Sequence, residues 1–455
     1  MFVTLLAAAV AAAIAASPAP VAQAQAQPMT LDQAISFAMS HDATVLAARS
    51  AYAAAGAQLA ANRAAGLLNV DGQAQSILNR QSSSNAGAFA QFGLSPSPNF
   101  SQNTTQLTAS QNVFDLTTSL QAKEAQRAYD AASRDLRRAK SQATLDIMTS
   151  FYGLAEDAQL VTLSLADLKY QQALVQIAQI NYQTGKVAGI DVLKARIQST
   201  TSQEHASSSE ADLEDARQNL AQQIGAPADQ TFALPDSIPA PAPPAGDQPT
   251  LTALALRNRP DLLAASDAFD EALIVRSLVD ASDRPIVNLT GGWGNQVSPT
   301  SNAATLAACN NPSHPLGVPC GLGSSHFYSV SLTSTWTLPL LDWGAKHAAR
   351  QSAELAADEK RAAYESARRQ AAIDVDQAFR RLGVNRQNLD LATANEQLAK
   401  RTADVSQVQY RTGLISQIDV TSAEQTYLQV AKDLLDAQVG YVLSVAKLKL
   451  AVGDL

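Results

Sequence analysis

One stretch of this 455-residue chain occurs twice. Tyr182-Gln-Thr-Gly185, followed by Ile190-Asp191-Val192, returns 228 residues on, from 182 to 410, as Tyr410-Arg-Thr-Gly413 and Ile418-Asp419-Val420. The match extends to Ala195 with Ala423, Leu220 with Leu448 and Gly225 with Gly453. Val113-Phe114-Asp115 is echoed by Leu340-Leu341-Asp342, and Thr30-Leu31 by Thr250-Leu251. A duplication constrains the fold strongly, because whatever the first half builds the second must build again. The expectation is two interlocked copies of one unit: residues 27–233, a proline-rich connector at 234–249 that cannot continue a helix, and residues 250–455.

Each copy reads helix, two strands, long helix, turn, helix. In the first, Leu31 to about Gly66 has a helical apolar stripe through Ala34, Phe37, Ala38 and Leu46. Two alternating segments follow: Val70, Gly72 and Ala74 oppose Asn69, Asp71 and Gln73, and Leu107, Ala109 and Val113 oppose Gln106, Thr108 and Asn112. From about Leu116 to Tyr182 helical periodicity runs almost without proline or glycine, about 100 Å of helix at 1.5 Å per residue. The second copy repeats this. Val287, Leu289, Gly291 and Trp293 form one alternating face, Tyr328, Val330, Leu332, Trp336 and Leu338 another, and helix is expected from near Trp343 to Tyr410 and from Gln417 to Leu450.

The strands bear most on architecture. Each is about the length that crosses a bilayer when tilted, with one apolar face and one of Ser, Thr, Asn and Gln. Trp293, Trp336 and Trp343, the only tryptophans, fall in or beside the second hairpin, where an aromatic girdle would lie. A soluble sheet with one wet face gives the same alternation. If the strands lie in lipid, four cannot close alone, and further subunits must complete a barrel.

Compartment is read from the N-terminus. Residues 1–26 have the form of a secretory signal peptide: an apolar run from Val3 to Ala16, then small-x-small sites at Ala22 to Ala26. Cys309 and Cys320 lie close together in a Pro/Gly/Asn-rich segment, so a loop-closing disulfide is expected in an exported protein. A metal site using those cysteines with His314 and His326 is the alternative, but its spacing fits no established zinc pattern. The net charge of −8 argues against a nucleic-acid partner. No Gly-x-Ser-x-Gly, His-Glu-x-x-His or phosphate-binding loop is present, the five histidines are scattered, and no cofactor is expected.

Taken together, the Thr30-Leu-Asp-x-Ala34 opening, the strand-to-helix sequences ending in Asp115 and Asp342, and the paired Tyr-x-Thr-Gly-(x4)-Ile-Asp-Val-x-x-Ala turns resemble the outer-membrane efflux protein family, the TolC-like channels. The likeness covers about Met29 to Leu455. It implies a mainly α chain with a transmembrane β part. Long helical hairpins would form a periplasmic α-barrel, and four strands per chain would complete a twelve-stranded trimeric β-barrel in the outer membrane. It implies a passive export channel, not an enzyme, opened by an iris-like movement of helix tips. Its partners would be a periplasmic adaptor and a proton- or ATP-driven inner-membrane transporter.

The turn residues carry two readings. Gly185 and Gly413 end helices sharply, and Asp191 and Asp419 lie where a carboxylate satisfies the unpaired N–H groups of a returning helix. By resemblance, Asp419 would also line the pore, one per subunit. Tyr410 would hold the closed state through a hydrogen bond toward Asp191, with Tyr182 and Asp191 as the first repeat's counterparts. Some relatives add an arginine two residues after the glycine; Ile415 stands there in this chain. The rival reading of the whole chain is a structural or adhesive coiled-coil protein of the cell envelope.

Overall fold

The computed structural model describes residues 28–80, 99–298, 323–337, 341–412 and 414–455. Residues 1–26, expected from sequence to be a signal peptide, and Cys309, Cys320, His314, Leu338 and Gly413 lie outside the described residues. The element order is α1 (Leu31–His41), α2 (Ala43–Ala64), β1 (Asn69–Arg80), β2 (Asn99–Phe114), α3 (Leu116–Gln183), α4 (Gly189–Ile224), α5 (Gln248–Asn258), α6 (Pro260–Ala281), β3 (Ile286–Ser298), β4 (Gly323–Thr335), α7 (Ala345–Arg411) and α8 (Gln417–Val452). Six elements are thus followed by six of the same kinds in the same order.

The first helix of each copy is shorter than the periodicity suggests. The stripe expected from Leu31 to Gly66 is broken at Asp42, whose extended backbone (ψ 129°) ends α1. Its carboxylate accepts from Thr44 N at 2.8 Å and Val45 N at 3.0 Å, which starts α2. In the second copy Pro260, which lacks an N–H to donate, opens α6 just after α5. The long helices start on acidic caps. Asp115 accepts from Thr117 N at 2.9 Å and Thr118 N at 3.2 Å, and Asp342 from Gly344 N at 3.1 Å and Lys346 N at 3.2 Å.

The chain divides into two compact units. One comprises residues 47–138 and 256–372 and contains the sheet. Its strands run β1-β2-β3-β4, each antiparallel to its neighbours, so β1 and β4 are the edges. Register places Val70, Ala109, Gly291 and Val330 in one row, and Gly72, Leu107, Trp293 and Tyr328 in the next. Directly paired residues share a face, so this face is apolar. Val70, Leu107, Leu289, Trp293, Tyr328, Val330 and Leu332 are all exposed on it. The opposite face carries Gln73, Gln106, Thr108, Thr290, Ser329, Ser331 and Thr333. The expectation for Val113 needs correction. A bulge between Asn112 and Phe114 brings Phe114, not Val113, into register with Val287 on the apolar face.

The Phe327 ring crosses the space that a side chain on Gly294 would fill, so a larger residue there would require the ring to move. In the same unit, Asp267 is buried on α6 and pairs with Arg134 of α3, with Arg127 at 3.6 Å.

The other unit comprises residues 1–46, 139–255 and 373–455, of which those from 28 on are described. Its core is built in layers. Ala34, Ile147, Phe151, Leu154, Leu220 and Ile224 form one cluster, and Leu251, Val375, Tyr441, Val445 and Leu448 its counterpart in the second repeat. The tyrosine hydroxyl of Tyr441 donates to Pro241 O at 3.1 Å, so the proline-rich connector is tied to α8.

Candidate functional site

Two turns face one cleft of about 740 Å³: the α3–α4 turn, through Asn181, Lys186, Val187, Ala188 and Asp191, and the α7–α8 turn, through Tyr410, Arg411, Ile415, Ser416 and Gln417. Both helices before the turns end alike. Gly185 adopts φ 72°, the left-handed region that glycine enters without steric cost. Lys186 N donates to Asn181 O at 2.8 Å and Gly185 N to Tyr182 O at 2.9 Å. In the second turn Leu414 N donates to Gln409 O at 2.8 Å, the same six-residue closure.

The repeats then diverge. Ser416 caps α8 reciprocally: its Oγ accepts from Asp419 N at 3.4 Å, and Asp419 Oδ2 accepts from Ser416 N at 3.1 Å and Ser416 Oγ at 2.7 Å. These bonds to Ser416 hold the exposed Asp419 carboxyl below the usual carboxylate range. The first repeat has Ala188 in that position, without a hydroxyl, and no side-chain cap forms.

The tyrosines part in the same way. Tyr410 is 5% exposed and packs with Leu174 and Val420, bordered by Tyr170, Ile177 and Ile415. Tyr182 is 54% exposed and lays its ring over Gly189, 3.4 Å from where a Cβ would stand. Burial, and then the nearby Asp191 carboxylate, push the Tyr410 hydroxyl up from its ordinary value. The two groups thus interact electrostatically across the turns, without a direct hydrogen bond in this conformation. Ile415 is half-buried against this cluster.

Gln417 was not a candidate from sequence, and it makes the most direct contact between the two turns. It is buried, and the amide orientation that satisfies both partners has Nε2 donating to Asp191 O at 2.8 Å and Oε1 accepting from Ala195 N at 3.1 Å. The first turn of α4 is therefore held by a side chain from α8. The aligned residue of the first repeat is Gly189, which can reach nothing. That Gly-to-Gln difference was the available signal.

Farther along the helices, Asp167 of α3 is buried and accepts from Ser202 Oγ of α4 at 2.6 Å and from Gln171 Nε2 at 3.1 Å. Among the described residues no group of acidic, histidine or cysteine side chains could hold a metal ion, and no helix is long and apolar enough to cross a membrane.

The outer membrane efflux protein family model matches the chain over residues 34–226 and 251–454, once for each repeat. The chain belongs to that family, whose members are channels. Comparison with curated protein sequences gives no match. Solved structures are similar across 93% of this chain. The CmeC outer membrane channel of Campylobacter jejuni is 18% identical, with 85% of it covered and a TM-score of 0.75. The outer membrane protein VceC of Vibrio cholerae is 18% identical, with 96% covered and a TM-score of 0.71. The open-state MtrE channel of Neisseria gonorrhoeae is 20% identical, with 88% covered and a TM-score of 0.71. At these identities the likeness establishes the fold: long helices with four antiparallel strands, as in outer-membrane efflux channels.

Proposed function

We propose that the protein is a passive trimeric export channel of the outer membrane, extending into the periplasm and working with an adaptor and an inner-membrane transporter. The observation that carries this reading is the sheet. Its exposed apolar face and its two edge strands, β1 and β4, are incompatible with lipid unless other strands cover those edges. Four strands from each of three chains close a twelve-stranded barrel with a wet lumen. Two chains give eight, whose interior side chains would fill.

The helices support the same assembly. Val384, Leu391, Leu398 and Val405 recur every seven residues along α7 and are all exposed, the spacing of a coiled-coil seam awaiting a partner helix. Ile190, Leu193 and Ile197 form a second exposed stripe on α4. A duct of this kind does no bond chemistry. Its gate would lie at the α3–α4 and α7–α8 turns, where Asp419 would line the pore and Tyr410 would help hold the closed state toward Asp191. Opening would be an iris-like parting of these turns, with Gln417 among the contacts that must break.

The assembly is tested by the mass of the detergent-extracted particle after cross-linking. Three subunits are expected, and a stable monomer with full β content would overturn the proposal. An envelope coiled-coil protein without a channel predicts no such barrel.

A further inference from the structure

Away from the turns, Tyr52 of α2 meets Tyr129 of α3. Their rings stack with centroids 4.8 Å apart and planes inclined by 29°, and their hydroxyls are hydrogen-bonded to each other. Both side chains are half-buried. Among the described residues no other two tyrosines stack ring on ring.

The neighbouring residues build this contact. Tyr52 and Gly56 are four residues apart and share one face of α2. Gly56 has no side chain to oppose the Tyr129 ring, whose Cε2 lies 3.4 Å from where a Cβ would stand. Nearer the sheet, Arg63 of α2 donates to Gln126 Oε1 of α3 at 2.6 Å, and Gln126 Nε2 donates to Asp130 Oδ1 at 2.9 Å. These bonds fix how α2 lies along α3, so the rings stay in register. The pair belongs to one repeat: where the duplication would return Tyr129, the second copy has Ala356 and Ala357.

Two phenols held in this way have a reactivity that an isolated tyrosine lacks. A phenoxyl radical carries much of its unpaired spin on the ring carbons beside the hydroxyl-bearing carbon. Stacked rings with touching hydroxyls bring those carbons of the two residues together. Separate tyrosines must meet by diffusion to couple, whereas here the encounter is already made.

We propose that Tyr52 and Tyr129 form an oxidative cross-linking site, at which a carbon–carbon bond between the rings joins α2 to α3. Each phenol gives up one electron and its hydroxyl proton. The two radicals couple through one carbon beside each hydroxyl. The hydrogen on each of those carbons then moves to its oxygen, which restores two phenols. The net loss is two electrons and two protons. The co-reactant is a peroxide, whose O–O bond takes them up; hydrogen peroxide becomes two waters. The product staples the two helices that flank the β1–β2 hairpin, between residues 77 apart in sequence, and restricts the unfolded chain as a disulfide would.

The test illuminates the intact protein in detergent with ruthenium(II) tris-bipyridyl and persulfate, a peroxide that accepts the same two electrons, and maps the digest by mass spectrometry. The expected product is a peptide pair joined at Tyr52 and Tyr129 and lighter than its parts by two hydrogens. It should be about tenfold more abundant than any product joining Tyr182 or Tyr328, although both of those are exposed. Tyr52→Phe and Tyr129→Phe each keep the ring and remove the phenol, and each should abolish the product; if one variant fails to fold, the other serves. Oxidation of Tyr182 or Tyr328 without a bond between Tyr52 and Tyr129 would overturn the proposal, as would a joined peptide of unchanged yield in either variant. The bond forms within one chain, so its failure is separable from failure of the channel reading.

Discussion

Replacing Val330 by arginine tests directly which sheet face meets lipid. Val330 is 80% exposed and lies near the middle of β4, in one row with Gly291, Ala109 and Val70. At about 3.4 Å per residue and a tilt near 40°, that position falls close to the centre of the apolar band. An arginine at the midplane on a lipid-facing site costs about 2–4 kcal/mol per chain. A trimer would incur it three times. Ser331, the next residue, points to the opposite face, and Ser331→Arg should cost about 0–1 kcal/mol because a wet lumen solvates the guanidinium. Urea titration of each variant folded into lipid vesicles measures the difference. Equal stability of the two variants, or a larger penalty at Ser331, would refute the assignment of faces.

Other perturbations probe single contacts. Asp267→Ala leaves Arg134 without its buried counter-charge and should cost about 3 kcal/mol, read from a denaturant melt. Gln417→Leu removes two hydrogen bonds to the first turn of α4, and exchange of the Ala195 amide should speed up about tenfold. Asp419→Ala should fray residues 417–420 and weaken any block by multivalent cations. Because its partner Ser416 lowers the folded-state value, wild-type capping should persist above about pH 4 and be lost as pH falls further, measured by exchange at those amides.

The architecture was legible because its determinants are local and repeated. Periodicity placed α3 and α7 to within a few residues of their ends, and strict alternation identified both faces of the sheet. The Asp42 break and the bulge before Phe114 were not legible, since each depends on one residue's hydrogen bonds or on its partner strand. At the turns the duplicated motif suggested equivalent roles for Tyr182 and Tyr410, yet one is exposed and the other buried. Their surroundings come from helices distant in sequence, which no local pattern encodes. Gln417 went unseen for the same reason: a polar residue on a helix looks solvated until the partner helix is placed. The segment holding Cys309 and Cys320 is outside the described residues, so their bridge remains an expectation from sequence.

Single-channel recording of the purified protein in a planar bilayer measures directly whether this chain makes a gated duct. We expect discrete conductance steps in wild type, block by multivalent cations from the periplasmic side, and a larger open population in Tyr410→Phe, which removes only a hydroxyl from a packed ring. A protein that inserts but passes no ions, in wild type and variant alike, would contradict the account.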